Sequence, residues 1–354
     1  MKFNGKLSIK KILILCIVLV AILLCIIYYT IFIMPNVEDR IDLNARNPYY
    51  DIYSSGKLID GIITSREEGI LLNNIIDVIK KQNLKEIEIL DFGSGDGRFF
   101  PIIQKLSILY PKVKIKYLAY DVIEVGLKKF QVNLIEDGFK LMESKPFINT
   151  EKVNKFKPYR VSELKRDNLY VTILLSNAYS IDQEVTSVLG ENINIIFSMY
   201  GSFMHIPYYN KRVDMLKTLS RSLNEEGLII LDVPAFRNFK IMLKMCDKLR
   251  AEKRYIELGD AIEEGDIIYR GIYYHLTTFN ELKRLAEDSN LIIKEKGITG
   301  IRSSYRMQKK VSKFNRIYTS LMSSVLSLGI VPERQIESST AYIYAVLELN
   351  KSRK

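Results

Sequence analysis

The stretch ILDFGSGDGRFF, Ile89 to Phe100, limits the fold more than any other part of this sequence. An apolar run ends in an acid, Asp91, and three glycines follow at alternate positions, Gly93, Gly95 and Gly97. Glycine has no β-carbon and tolerates positive φ. A strand that turns through such a loop into a helix therefore brings bare backbone N–H groups close to a ligand. The loop departs from the dinucleotide pattern Gly-x-Gly-x-x-Gly, because its sixth position is Arg98 and its third glycine comes one residue early.

The flanking segments alternate in period. Apolar residues at helical spacing run through LIDGIITSREEGILLNNIIDVIKK, and EIEILDF then reads as a strand. RFFPIIQKLSILY reads as a helix with its proline near the first turn, KIKYLAYD as a strand, and IEVGLKKFQVNLIEDG as a helix closed by Gly138. LYVTILLSN, INIIFSMY and GLIILDVP are further strands, the last two separated by the helix KRVDMLKTLSRSLNEEG. Beyond Pro234 a mostly helical stretch leads to DIIYRGIYYHLT, read as a strand. The helix FNELKRLAEDSN and the strands LIIKEKGI and AYIYAVLEL complete the series. Strands alternating with helices predict a doubly wound α/β fold with a parallel sheet covered on both faces. Phe139 to Asp167 is lysine-rich and reads as an irregular insertion.

An acid followed by Gly-x-Gly-x-Gly resembles motif I of the class I S-adenosylmethionine-dependent methyltransferases, whose fold is Rossmann-like. The resemblance covers roughly residues 57 to 350. It implies S-adenosylmethionine as cofactor. Asp91 would orient its methionine part, and Gly93, Ser94, Gly95 and Gly97 would pass beneath its adenosyl group. The acid ending the second strand, Asp121, would take both ribose hydroxyls, and Val122 would lie against the adenine ring. At the third strand, where the family often has an acid near the adenine amino group, this chain has Asn177 followed by Ala178. Ser198, at the end of the fourth strand, completes the implied cofactor set.

Methyl transfer from a sulfonium is an in-line displacement that needs alignment, and needs a base only if the acceptor carries a proton. His205, in YGSFMHIP after the fourth strand, is the candidate base; Tyr200 is placed to line the same pocket, and His275 to touch substrate. With two histidines, and one cysteine outside the apolar segment near the start, no metal site is expected. The acceptor implied is a small molecule or lipid. Two alternatives stand beside it. YYHLTTFNEL and FSMYGSFMHI also resemble the methyltransferases that modify wobble uridines in tRNA, and the net charge of +11 suits an anionic partner. The second alternative is a non-enzymatic, membrane-tethered scaffold that keeps the fold.

Ile12 to Met34 carries no charge, and a helix of about 20 residues spans a bilayer. The segment ends without the small residues of a signal cleavage site, so it reads as an uncleaved single-pass anchor. Lys2, Lys6, Lys10 and Lys11 precede it, which by the positive-inside rule puts the domain on the far side, whereas a cytosolic cofactor requires the opposite. Around 305 to 326, basic residues beside an apolar stripe suit an anionic lipid surface or a lid. The expected organisation is a basic tail (1–11), a membrane helix (12–34), a linker (35–56) and a catalytic domain (57–350) with insertions near 139–167, 235–265 and 301–339.

Overall fold

In a computed structural model of the chain, residues 63, 65–148, 159–176, 192–199, 201–236, 265–269, 272–300 and 342–353 are described. They fall within one compact unit, Asn44–Lys354. The expected segments at 12–34 and 301–339 lie outside these residues, as does the segment 235–265 except for 235, 236 and 265, and as do Tyr200, Asn177 and Ala178.

The apolar runs form strands where expected, and their alternate residues feed two cores. In order the elements are α1 (Ser65–Gln82), β1 (Glu86–Phe92), α2 (Phe100–Leu109), β2 (Lys114–Asp121), α3 (Glu124–Glu136), β3 (Lys140–Ser144), β4 (Tyr159–Arg166) and β5 (Leu169–Leu175). They continue with β6 (Ile193–Ser198), a 3-10 turn (Ser202–His205), α4 (Tyr209–Ser222), β7 (Leu223–Pro234), β8 (Asp266–Tyr269), β9 (Ile272–His275), α5 (Phe279–Asp288), β10 (Leu291–Gly300) and β11 (Tyr342–Leu349). Ile87, Ile89, Tyr117 and Ala119 pack into the core shared with α1, α2 and α3. Leu90, Phe92, Leu118 and Tyr120 point the other way, into the core with α4 and α5. A strand buried on both faces has no polar side to show, which is why these segments are near-continuous apolar runs.

Among the described residues, nine strands form one sheet in the order β10-β11-β7-β6-β1-β2-β5-β4-β3. β6, β1, β2 and β5 are parallel neighbours. The chain winds from β1 outward through β2 and β5, then returns to place β6 on the other side of β1. That reversal is the switch point at which open α/β sheets bind ligands, beyond the carboxyl ends of their strands. The glycine loop lies there.

The expectation of a purely parallel sheet is corrected at both margins. β11 runs antiparallel between β7 and β10. β3 and β4 add an antiparallel margin beyond β5. The stretch 139–167 therefore contains two strands. Its alternation is masked because β3 is exposed along its whole length. The segment around 270, read as one strand, is a hairpin of β8 and β9 paired Asp266 to His275.

The single-pass membrane placement is also corrected. Among the described residues no helix is long and apolar enough to cross a membrane. The longest of them, α1, carries Arg66, Glu67, Glu68, Asp77, Lys80 and Lys81. The apolar stretch 12–34 and the basic stretch 305–326 are both outside the described residues.

Asn168 holds the turn between β4 and β5 against the end of α2. Its side-chain amide donates to the carbonyls of Val113 at 2.7 Å and Tyr110 at 3.1 Å. Asn168→Ala leaves those carbonyls without that donor and is expected to cost about 1–2 kcal/mol. Urea unfolding at equal m-value checks this.

Candidate functional site

The site is built from the loop outward. Asp91 ends β1, and Gly93, Gly95 and Gly97 follow with φ of 83°, 54° and 80°. The N–H groups of Gly93 and Ser94 both donate to the Tyr120 carbonyl on β2, at 2.8 and 3.0 Å. The loop is thereby turned back over the end of the sheet.

Two of these glycines, and a third on α3, have a neighbour where a side chain would be. A β-carbon on Gly93 would lie 2.4 Å from Ser202 Cβ, at the start of the 3-10 turn after β6. One on Gly97 would lie 2.1 Å from the Phe130 ring of α3. Gly126, also on α3, permits the reverse contact, because its β-carbon would approach the Gly95 backbone to 3.0 Å. So the first glycine admits the turn carrying His205, and the third admits α3. Gly126 and Ser202 were not singled out in the sequence. A helical glycine in EVGLKK is the only trace that Gly126 leaves there.

Asp121 fastens this assembly. Its Oδ2 accepts from Gly95 N at 2.7 Å, and its Oδ1 accepts from Val122 N at 2.7 Å and Ile123 N at 2.9 Å. Burial raises its pKa, and the three backbone donors oppose the rise. A carboxylate offers about four lone-pair positions, so three donors leave room for one more. Val122 follows at the mouth, where its own N–H is taken by Asp121.

Asp91 points to the α1–α3 side and is 2% exposed. Tyr117, two positions ahead of Ala119 on β2, donates its hydroxyl to Asp91 Oδ2. The Tyr117 ring is held by Phe100 at 5.2 Å and Phe130 at 6.2 Å between centroids. Burial lifts the Asp91 carboxyl to a pKa of about 8; the Tyr117 hydrogen bond opposes this, and the charge of Asp121 adds to it. Neither Asp91 nor Asp121 pairs with a basic side chain among the described residues. Two further polar atoms, Ser94 Oγ in the loop and Ser198 Oγ at the end of β6, are buried without a hydrogen-bond partner. Buried polar groups are normally satisfied, and these two lie in the loop and at the strand end beside it.

The two candidate histidines have different settings. His205 ends the 3-10 turn, half-buried, with its ring 4.1 Å from that of Tyr274 on β9. His275 is 2% exposed. Its Nδ1 lies 2.7 Å from Asp266 Oδ1, and its Nε2 lies 2.8 and 2.9 Å from the two Glu281 oxygens. Both ring nitrogens thus face carboxylates, an arrangement that favours the protonated ring. Burial alone would depress its pKa, but the bonds to Asp266 and Glu281 outweigh that and hold it above the ordinary value. Arg212, wholly buried on α4, adds a contact to Glu281 at 3.4 Å and donates to the Ile206 carbonyl. The cluster ties the β8–β9 hairpin to α4 and α5. Glu281 also stands three residues after the N-cap Thr278, whose side chain accepts from its N–H at 3.1 Å. The Thr-x-x-Glu spacing of a capping box was the signal in the sequence. No group of three or more metal-binding side chains occurs among the described residues.

The His275 cluster makes stability depend on pH with a definite sign. Its folded pKa lies above the unfolded 6.5, so its contribution is complete below about 6.5 and is lost as pH rises through the folded value. His275→Gln is expected to cost about 3 kcal/mol at pH 6 and clearly less at pH 9. Chemical denaturation of both proteins at the two pH values measures the difference.

No protein-family profile matches this chain, and no curated protein does. Solved structures similar to it include an S-adenosylmethionine-dependent methyltransferase from Clostridium acetobutylicum. That protein is 11% identical, with 86% of this chain and 99% of that one covered, and a TM-score of 0.45. A second is the 1,6-didemethyltoxoflavin-N1-methyltransferase of Burkholderia thailandensis, solved with 1,6-didemethyltoxoflavin and S-adenosylhomocysteine. It is 10% identical over 86% of this chain and 87% of that one, with a TM-score of 0.44. A third is the CcbJ methyltransferase of Streptomyces caelestis, 10% identical over 80% and 96%, with a TM-score of 0.41. At such identities the fold rests on the strand order itself, with its reversal at β1 and its antiparallel β11. That strand order is a Rossmann-like doubly wound α/β fold with an antiparallel strand, β11, between β7 and β10.

Proposed function

We propose that this chain binds S-adenosylmethionine at the glycine loop and transfers its methyl group to a small-molecule acceptor. The observation that carries the reading is electrostatic. A tight glycine loop at the switch point is flanked by two buried carboxyls, Asp91 and Asp121, neither with a basic partner among the described residues. A buried carboxyl ionises more readily beside a cation than beside an anion, so such a pair disfavours a pyrophosphate and favours a ligand with a cationic end. The departure from the dinucleotide spacing agrees with this.

The residues present fit such a cofactor. Asp91 receives the positively charged methionine end, and the remaining acceptor position on Asp121 takes a ribose hydroxyl. Ser94 and Ser198 provide the buried hydroxyls that lack partners. Val122 lies beside the adenine position. When bound, the cofactor supplies a methyl group on a sulfonium, an electrophile that needs no further activation. The protein aligns the acceptor with it and keeps water out. The acceptor side is formed by His205 and Tyr274. Ser202 touches the loop at Gly93, and His205 lies three residues further along the same turn. It is thus placed to take a proton from an acceptor that carries one. The ring pair suits a small molecule held by stacking.

Calorimetric titration tests the reading. S-Adenosylmethionine and S-adenosylhomocysteine are expected to bind in the micromolar range and NAD not at all; binding of NAD in preference to either would refute it. Asp121→Asn keeps the size but turns one acceptor oxygen into a donor facing backbone N–H groups, and is expected to lose roughly tenfold in affinity or more, about 1.4 kcal/mol. His205→Ala is expected to keep cofactor affinity while transfer of a labelled methyl group to small-molecule acceptors falls by about 10²–10⁴-fold.

A further inference from the structure

Asp91 has two properties that seem at odds. It stands where a charge is wanted, yet it is placed where a charge is costly. It is 2% exposed and belongs to the face formed by Ile87, Ile89 and Ala119. Its side-chain partner among the described residues is a neutral phenol, Tyr117. On β6 the residue in register with it is Phe197. The charged and titratable groups on the surrounding elements are Asp121 at the end of β2, Glu67 on α1, Asp96 and Arg98 in the loop, and Glu124 at the start of α3. Of these, Asp121 acts on Asp91, and its sign is the same. Among the described residues, nothing that pairs with Asp91 neutralises an ionised carboxylate.

Resting on the function proposed above, we propose that Asp91 holds a proton in the free protein and releases it when the cationic methionine end of the cofactor arrives, with Tyr117 as the positioning residue that aims the resulting carboxylate. The step balances simply. The carboxyl O–H bond breaks, the proton leaves to solvent, and the ligand's positive charge takes its place beside the carboxylate. Tyr117 can serve because it is fully buried, its ring is fixed by Phe100 and Phe130, and burial raises its own pKa. It therefore stays a donor throughout, and a donor favours the ionised form of its partner.

The consequence is a linkage between cofactor affinity and pH. With a free-state pKa of about 8 for Asp91, binding at pH 6.5 to 7.0 releases about one proton, and affinity rises close to tenfold per pH unit in that range. This range lies below the titration of the ligand's own α-amino group, near 7.7–8.0. A residue of merely structural importance would not move a proton count.

The test is calorimetry of S-adenosylmethionine binding to the full chain at pH 6.5 and 7.0, in buffers of different ionisation enthalpy. The slope of the observed enthalpy against buffer enthalpy gives the protons released. About one proton is expected for the wild-type chain and none for Asp91→Asn. For Tyr117→Phe, weaker binding with about one proton still released is expected, because loss of the phenol donor raises Asp91 further. Wild-type binding with no proton release overturns the inference and leaves the cofactor assignment standing. An undiminished release from Asp91→Asn overturns it too, because the proton then comes from another group. Failure of the wild-type chain to bind S-adenosylmethionine at all sinks the proposed function, and this inference with it. The wild-type slope decides the question even if both variants fail to fold.

Discussion

Everything at the head of the sheet depends on one hydrogen bond, from Gly95 N to Asp121 Oδ2. It joins the loop after β1 to the end of β2. Asp121 also takes the next two backbone N–H groups of its own turn, so one carboxylate sets both the loop and the start of α3. The surrounding contacts follow from that fixed point. Gly126 lets α3 approach Gly95, Phe130 occupies the space that a side chain on Gly97 would need, and Ser202 brings the post-β6 turn against Gly93. The loop is clasped from both faces of the sheet, and each contact depends on a missing β-carbon. A cofactor arriving there meets a preformed backbone, which lowers the cost of ordering the site.

The electrostatics are local. The chain as a whole is basic, with a net charge of +11. Yet the switch point collects buried acids, and the basic residues are mostly displayed on outer surfaces, as in the exposed pairs Lys105–Glu68 and Lys114–Glu86. Such exposed pairs contribute little to stability, about 0–1 kcal/mol each. Buried carboxyls without a basic partner among the described residues matter far more, because ionising them there is costly and a cationic ligand lowers that cost. The second buried cluster, around His275, works in the opposite way. Its charges are already paired, so it fixes the hairpin that presents Tyr274 to His205.

The parallel centre of the fold was legible because strands buried on both faces leave unbroken apolar runs; β1 and β2 begin and end where EIEILDF and KIKYLAYD do. The margins were not. β3 is exposed along its length and β4 alternates only weakly, so neither carries a period-two signal strong enough to stand out among lysines. At the site, the acid–glycine pattern announced the loop, but a sequence does not show which side chain faces which. Tyr117 looked like one more apolar position of β2, and His275, beside Tyr273 and Tyr274, looked like a substrate contact. Only the packing reveals that the first holds Asp91 and the second is held by Asp266 and Glu281.

The central claim is that the cationic cofactor sits on the glycine loop between Asp91 and Asp121. Ultraviolet cross-linking of methyl-labelled S-adenosylmethionine to the full chain, followed by peptide mapping, addresses it directly. The account predicts label confined to peptides spanning residues 89–100, 117–126 or 198–205, and displaced by excess S-adenosylhomocysteine. Label found elsewhere, or label that the competitor does not displace, would contradict it.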